Sequence, residues 1–197
     1  MKKVYIKTRL VFGFVRCFPH LISLNSCKNK SVIQYDTLRW LKIKGLNYNQ
    51  QTGFIYLMTF FPEFRNLFYK RIGYIKFLLE PLCPKLETLY LYTDNIGPGL
   101  FIQHGFSTII TAESIGKDCW INQQVTVGYS LSGRPVILDN VSITAGAKII
   151  GNITIGNNSV IGANAVVIKN VPDNCTVVGI PAFIVKRNGV KVREELA

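Results

Sequence analysis

The sequence predicts a mainly β protein in which a mainly α region precedes a parallel β-helix. Two observations predict this division. A β-branched residue recurs every six positions from Ile137 to Val167, and the net charge of +12 is concentrated in the first half of the 197 residues. Hydrophobic residues make up 48% of the chain and charged residues 17%, which is the composition of a protein with a packed core and not of a disordered one.

The six-residue repeat is the strongest signal, because a fixed period determines an architecture. Three hexads form one coil of about 18 residues, and coils stack at the strand spacing of about 4.8 Å. We therefore expect Ile143 to lie beneath Ile161, and the other inward residues to stack in the same way. The inward residues are Ile137, Ile143, Ile149, Ile155, Ile161 and Val167.

The repeat continues upstream with one insertion. The same phase holds from Ile115 to Val127, but the distance from Val127 to Ile137 exceeds one hexad by four residues. We therefore predict that a loop leaves the coil over residues 129–135.

The corners of the coil have their own signals. Gly156 and Gly162 follow inward isoleucines, where a tight corner needs a residue without Cβ strain. Ile96 and Ile102 are one residue out of phase with the later repeat, which predicts an irregular corner near residues 107–114.

The first half has a different pattern. Residues 31–44 and 62–76 combine apolar and basic residues at helical spacing, so we predict two or three amphipathic helices that end near residues 81–84. Residues 1–30 fit either a helix or an irregular arm. The predicted domains are a basic, aromatic, mainly helical region over 1–93, a β-helix catalytic domain over 94–184 and a C-terminal tail over 185–197.

The basic charge indicates where an anionic partner would bind. Residues 1–93 contain 15 Lys and Arg against four Asp and Glu, whereas residues 94–197 contain eight against seven. Basic amphipathic helices with aromatic residues fit peripheral contact with an anionic membrane surface, and they equally fit a solvated helical face. No recognised nucleic-acid motif is present, so we expect no nucleic-acid partner.

The cysteines and the apolar segments bear on the cellular compartment. Five widely separated cysteines without a C-x-x-C pair argue against a disulfide framework and against a cysteine zinc site. No secretory signal is convincing. We therefore expect a cytoplasmic protein, with contact at the inner face of the cytoplasmic membrane as an additional option.

Three segments together carry a resemblance to a known family. They are IGPGLFIQHG at 96–105, the run that starts ITAGAKIIGN at 143–174, and VGIPA at 178–182. Over about residues 94–187 the chain resembles the serine acetyltransferase family, and most of all the surface-polysaccharide O-acetyltransferases of that superfamily. The resemblance implies a left-handed hexapeptide-repeat β-helix, a homotrimer with clefts between subunits, and acetyl-CoA as acetyl donor. It also implies cofactor contacts at Gly128, Ala145, Ala163 and Lys186.

His104 is the predicted catalytic base. It is the single histidine of the second half, and an imidazole with an ordinary pKa of about 6.5 can accept a hydroxyl proton and return it to a leaving thiolate. The other histidine, His20, has no such context, and we expect it to pack or lie on the surface. In serine acetyltransferases the catalytic histidine is paired with an Asp fifteen residues earlier, which is Leu89 here. Glu87, Asp94 or a backbone carbonyl is left to orient the ring.

Two further departures concern the acceptor. Gln103 stands where the serine enzymes have an acid that helps to hold the substrate ammonium, and Arg134 stands where they have a histidine. A sugar favours amides and neutral donors. We therefore expect Gln103 and Arg134 to bind a sugar or lipid-linked glycan, and the enzyme to acetylate a sugar hydroxyl in polysaccharide biosynthesis.

Other functions also fit parts of this sequence pattern. Serine O-acetylation in cysteine biosynthesis is the first alternative, and a non-catalytic trimeric scaffold is the second; an amino-sugar nitrogen is also an acceptor that the sequence does not exclude. A zinc β-helix enzyme of the γ-type carbonic anhydrase kind needs three histidines at its interface, and one per chain in this half does not supply them. We therefore expect no metal.

Overall fold

The structure is a computed structural model that describes residues 2–196, and it divides into two compact units between Leu86 and Glu87. The predicted boundary between residues 93 and 94 lies a few residues too late. The reason is that the first β-strand, Leu89–Leu91, already belongs to the coil through its parallel pairing with the strand Thr108–Ile110.

The first unit is helical. The helices predicted over 31–44 and 62–76 are present, and most of residues 1–30, where helix or arm was left open, is helix. Of the helices in the described part of the chain, none is both long and apolar enough to serve as a membrane span. The elements are α1 (Lys2–Ser26), α2 (Lys30–Ile43), α3 (Gln50–Phe60), α4 (Pro62–Ile72), a 3-10 turn (Gly73–Ile75) and α5 (Lys76–Leu79).

Local signals explain where α3 and α4 begin. The side chain of Asn49 accepts a 2.9 Å hydrogen bond from the backbone N–H of Thr52, which caps the first turn of α3. Pro62 stands in the first turn of α4, where a backbone N–H would have no acceptor within the helix, so proline costs no hydrogen bond there. Both helices then bury an aromatic face in which Phe54 and Phe64 meet edge to face.

The second unit is a parallel β-helix followed by a hairpin. Its strands are β1 (Leu89–Leu91), β2 (Asn95–Ile96), β3 (Phe101–Ile102), β4 (Thr108–Ile110), β5 (Ser114–Ile115), β6 (Trp120–Ile121), β7 (Thr126–Gly128), β8 (Val136–Ile137), β9 (Ser142–Ile143), β10 (Lys148–Ile150), β11 (Thr154–Ile155), β12 (Val160–Ile161), β13 (Val166–Val167), β14 (Cys175–Val178), β15 (Phe183–Arg187) and β16 (Val190–Glu195). Sheet 1 contains β1, β4, β7, β10 and β13, sheet 2 contains β2, β5, β8 and β11, and sheet 3 contains β3, β6, β9, β12 and β14–β16.

The stacking follows the predicted period. Ile143 pairs with Ile161 in sheet 3, and the corresponding predicted pairs in sheets 1 and 2 are also present. Each inward side chain of this series is at most 1% exposed, so the ladders form a continuous apolar core. Because the sides of the coil are only two or three residues long, this stacking supplies most of the burial of each strand.

Both predicted interruptions of the repeat are present. The loop over 129–135 leaves the coil between β7 and β8, and Ser130 and Gly133 bridge within it. The irregular corner precedes β5, where the backbone N–H of Ala112 donates a 2.8 Å hydrogen bond to the hydroxyl of Thr93.

The predicted C-terminal tail over 185–197 is wrong for most of its length. β15 and β16 instead form an antiparallel hairpin that pairs with β14. The hairpin covers the edge that sheet 3 would otherwise leave open after its last coil, and open edges are sites of unwanted pairing. Arg187 and Glu194 join its two strands through a 2.6 Å ion pair.

Candidate active site

His104 lies in the turn over residues 103–107 that connects β3 to β4. Its backbone has a φ of +54°, and its carbonyl accepts a 2.7 Å hydrogen bond from the N–H of Phe106. Ile102 before the turn and Gly105 within it are buried, whereas the His104 side chain is exposed. The backbone is therefore held on both sides while the imidazole faces outward.

His104 shares one edge of the coil with both alanines of the predicted cofactor site. This His104 edge consists of the turns from sheet 3 to sheet 1. Ile102, Ile121, Ile143 and Ile161 stack in consecutive coils, and the residues two places beyond them are His104, Gln123, Ala145 and Ala163. The Ala145 carbonyl accepts a 2.9 Å hydrogen bond from the N–H of Asn164, which holds these neighbouring turns together. The two alanines leave room along the edge.

Gly128 and Arg134 lie on a different edge. Gly128 ends β7, and Arg134 is an exposed residue of the loop over 129–135, so both belong to the turns from sheet 1 to sheet 2. We call this the loop edge. A side of the coil, sheet 1, separates the two edges within one chain. The two predicted substrate residues, Gln103 and Arg134, are therefore not brought together by a single chain.

Lys186 lies outside both edges. It is an exposed residue of β15 and pairs with Thr176 of β14, which places it at the hairpin that follows the last coil. Ala163 lies in the turn after β12, the strand that pairs with the other side of β14. Lys186 is thus near the same end of the β-helix as Ala163 but on the added hairpin.

The position expected to hold an orienting acid is aliphatic and faces the core. Leu89 is 3% exposed in β1, so this position points into the interior and not toward the His104 turn. Glu87 and Asp94 are both exposed. Within one chain, over residues 2–196, the His104 imidazole forms no hydrogen bond, so the orientation of the ring by Glu87, Asp94 or a backbone carbonyl stays a prediction.

The structure adds two polar residues to the His104 edge that the sequence reading missed. Gln123 follows His104 in the stack, and its carbonyl accepts a 3.0 Å hydrogen bond from the N–H of Gly146. Asn122 is stacked beside Gln103 and accepts a 2.7 Å hydrogen bond from the Trp120 indole. The repeat could have revealed both residues. The pairing of Ile102 with Ile121 places the residues that follow them, one and two positions later, next to each other.

A cluster of metal-ligand residue types lies in the helical unit. Ligand atoms of Cys17, His20 and Cys83 are all within 4.8 Å of one another, and the two Sγ atoms are 3.4 Å apart. His20 is fully buried and its Nε2 lies 3.0 Å from the Tyr69 hydroxyl, so it packs in the core. Burial lowers the pKa of His20 to about 4, and the hydrogen bond from Cys17 lowers the pKa of Cys83 to about 7. The cluster does not belong to the coil that carries His104, and the absence of a metal from the reaction stays a prediction.

The repeat matches a described family. Residues 134–169 match the family model described as bacterial transferase hexapeptide (six repeats). The match covers six consecutive strands, β8–β13, with the turns that contain Ala145 and Ala163, and it identifies the β-helix as the left-handed hexapeptide type that the sequence predicted.

Similar proteins extend the comparison beyond the repeat. A serine acetyltransferase of Synechococcus elongatus is 42% identical over 132 residues, which are 64% of this chain and 54% of that protein. A Neisseria gonorrhoeae serine acetyltransferase solved with serine has a TM-score of 0.65 at 26% identity, over 82% of this chain and 71% of that one. A Brucella abortus serine acetyltransferase solved with coenzyme A has a TM-score of 0.63 at 26% identity, over 84% and 71%. This chain spans about half the length of the curated relatives it matches.

These similarities contradict the predicted sugar acceptor and with it the assignment to polysaccharide biosynthesis. The relatives are serine acetyltransferases, which was the first alternative. The prediction depended on the resemblance to the polysaccharide enzymes and on the chemistry of Gln103 and Arg134. That reasoning was insufficient, because an amide oxygen also accepts hydrogen bonds from an ammonium group and a guanidinium also binds a carboxylate.

Proposed function

Since this chain is built on the left-handed hexapeptide-repeat β-helix of the acyltransferase superfamily, we propose that it is a serine O-acetyltransferase that uses acetyl-CoA. The observation that carries the proposal is the exposed His104 on a coil edge that also presents Ala145 and Ala163. The likeness to serine acetyltransferases solved with serine and with coenzyme A supports the choice of both substrates.

His104 acts as general base and then as general acid. Its imidazole removes the proton from the serine hydroxyl while the hydroxyl oxygen attacks the thioester carbonyl of acetyl-CoA. The new ester bond forms, the C–S bond breaks, and the proton passes from the imidazole to the coenzyme A thiolate. The exposure of the ring on a turn with a fixed backbone supports this role, because both substrates need access to it.

Gln103 and Arg134 bind the two charged groups of serine. The Gln103 amide oxygen accepts hydrogen bonds from the ammonium group beside His104. Arg134 offers a planar, always charged fork that matches a carboxylate through two parallel hydrogen bonds. These contacts replace a carboxylate and a histidine of the similar enzymes, so serine is held by a different distribution of charge.

The active assembly is a homotrimer with each site between two copies. His104 and Arg134 lie on different edges of one coil, and a threefold arrangement places the His104 edge of one copy against the loop edge of the next. Every copy then contributes both edges to a different site. This arrangement accounts for the separation of the proposed substrate residues within one chain.

The coenzyme lies along the His104 edge. Ala145 and Ala163 leave space for the pantetheine arm, and backbone groups of their turns are available to it. Gly128 comes from the loop edge of the neighbouring copy and also lacks a side chain that would fill the cleft. Lys186, an exposed cation near the Ala163 end of the coil, provides charge for the coenzyme phosphates.

The experiment that tests this function is a thiol-release assay with acetyl-CoA and L-serine. We expect thiol release that depends on serine, and formation of O-acetylserine in equal amount. L-alanine is the matched control acceptor, because it has the ammonium and carboxylate groups of serine but no hydroxyl. Absence of serine-dependent thiol release by a folded protein that binds acetyl-CoA would falsify the proposal.

A further inference from the structure

A cavity of about 230 Å³ lies in the helical unit between α1 and α3. It is lined by Arg9, Phe12, Gly13, Arg16 and Thr59. Arg9 and Arg16 are two turns apart on α1, so their side chains emerge on the same face of the helix. Pockets for drug-sized ligands hold roughly 300–1,000 Å³. This cavity therefore fits a small group.

Two hydrogen-bond donors on residues that line this cavity are buried, and neither bonds to a described group. Thr59 is 4% exposed, and its hydroxyl has no hydrogen-bond partner. The Nε of Arg16 is also buried and without a partner. Buried donors without acceptors destabilise a fold, and native structures leave few of them. A ligand could therefore supply the hydrogen-bond acceptor that both donors lack.

Arg9, the other arginine of the lining, is held by contacts with aromatic side chains. The Arg9 guanidinium lies 5.5 Å from the centre of the Tyr5 ring and 5.2 Å from that of Phe60, and it donates a 2.9 Å hydrogen bond to the Tyr5 hydroxyl. Within residues 2–196 no carboxylate forms an ion pair with Arg9 or Arg16. No described carboxylate therefore neutralises either guanidinium, although Arg16 lies close enough to the Cys83 thiol to contribute to lowering its pKa.

We propose that Arg9, Arg16 and Thr59 form a binding site for a phosphate group. Two guanidinium groups and a hydroxyl approach the cavity from two helices, which matches the several acceptor oxygens of a tetrahedral phosphate. Thr59 distinguishes a specific phosphate site from general attraction of anions by positive charge, because its hydroxyl is neutral and buried. The phosphate belongs either to a small soluble phosphate or to the headgroup of an anionic lipid.

The exposed apolar side chains of α1 bear on whether the phosphate belongs to a lipid headgroup. Phe12, which lines the cavity, is 71% exposed, and Val11 and Val15 beside it are 65% and 75% exposed. A headgroup in the cavity would leave its acyl chains next to these side chains. A soluble phosphate needs no such surface, so vesicles and inorganic phosphate separate the two sources.

The test measures phosphate binding by the full-length protein, without any reference to acetyl transfer. Inorganic phosphate is titrated by calorimetry at constant ionic strength, and sedimentation is measured with vesicles of phosphatidylcholine containing or lacking phosphatidic acid. The variants are Thr59→Val, which removes only the hydroxyl, and Arg9→Gln. Lys28→Gln is the matched control, because it removes one exposed charge elsewhere in the same unit.

We expect Thr59→Val to be as stable as the wild type without phosphate, since it removes an unpaired buried hydroxyl. Its affinity for phosphate should fall about three- to ten-fold, and that of Arg9→Gln about ten- to a hundred-fold, while Lys28→Gln should bind as the wild type does. These losses with inorganic phosphate support a soluble ligand, and the same losses with phosphatidic acid vesicles alone support a headgroup. If neither probe binds, or if Arg9→Gln and Lys28→Gln weaken binding equally while Thr59→Val does not, the site is wrong.

Discussion

The backbone carbonyl of His104 accepts a 2.7 Å hydrogen bond from the N–H of Phe106, and this contact closes a turn in which His104 has a φ of +54°. Most L-residues avoid this left-handed region, whereas Asn adopts it more readily than most. A replacement at position 104 that does not tolerate this left-handed backbone would therefore strain the turn. Its replacement has to be chosen for the backbone as well as for the chemistry.

The first prediction is that His104→Asn abolishes most of the acetyl transfer without disturbing the fold. Asn suits the left-handed backbone but cannot act as a base near neutral pH, so turnover should fall by about 10²–10⁴-fold. Steady-state assays measure turnover, and calorimetry measures acetyl-CoA affinity, which should stay within about two-fold because the cofactor contacts lie elsewhere on the edge. Turnover near that of the wild type would remove His104 from the mechanism.

The second prediction tests whether two copies share each site. His104→Asn and Arg134→Ala should each be inactive or weak alone, because each removes one edge of every site. When the two variants are denatured together and refolded as a mixture, some interfaces should combine an intact His104 edge with an intact loop edge. We expect activity clearly above that of either variant refolded alone. No recovery in mixed trimers verified by mass spectrometry would contradict a shared site.

The third prediction concerns the inward ladder. Ile161 is fully buried in sheet 3 between Ile143 and Val177. Ile161→Ala leaves a cavity that neighbouring coils cannot fill, so the free energy of unfolding should fall by about 2–5 kcal/mol. The control is Ile168→Ala at a side chain that is 55% exposed, which should change stability by less than about 0.5 kcal/mol. Urea denaturation of both variants measures the difference, and equal stabilities would contradict the stacked core.

The fourth prediction distinguishes two glycines of the coil. A Cβ at Gly156 would lie 2.5 Å from the backbone nitrogen of Asp173, whereas a Cβ at Gly128 would meet the flexible end of Ile150 at 3.0 Å. Backbone atoms of the next coil cannot move aside easily, so Gly156→Ala should cost about 1–3 kcal/mol. Gly128→Ala should cost clearly less. Thermal denaturation of the two variants compares them directly, and an equal loss would show that close approach between coils is not the reason for glycine at 156.

Much of the β-helix could be predicted because its information is local and repeated. An inward β-branched residue every six positions determines which residue stacks on which, and the observed pairing of Ile143 with Ile161 follows from that period alone. The loop over 129–135 was equally visible, since four extra residues cannot be fitted into one side of the coil. Corner glycines such as Gly156 were visible as well, but their reason, the approach of Asp173 from the next coil, was not.

The acceptor could not be predicted from the two substituted residues. An amide and a guanidinium can each bind more than one chemical group, and Gln103 and Arg134, together with the resemblance to the polysaccharide enzymes, favoured a sugar over serine. The structure adds that one coil keeps them on separate edges, which a reading of the linear sequence had treated as one substrate site. Their proposed joint role depends on how copies of the chain assemble, and the six-residue period does not determine that assembly.

The sequence by itself determined the six-residue coil, the histidine after IGPGLFIQ and the concentration of basic charge before residue 94. Only the tertiary structure decided that β15 and β16 extend sheet 3, that Leu89 faces the core, and that Thr59 lies with Arg9 and Arg16 around one cavity. The physical reason is distance along the chain. A repeat records contacts between neighbouring coils at a fixed spacing, whereas the α1–α3 cavity joins residues about 50 positions apart whose meeting depends on helix packing.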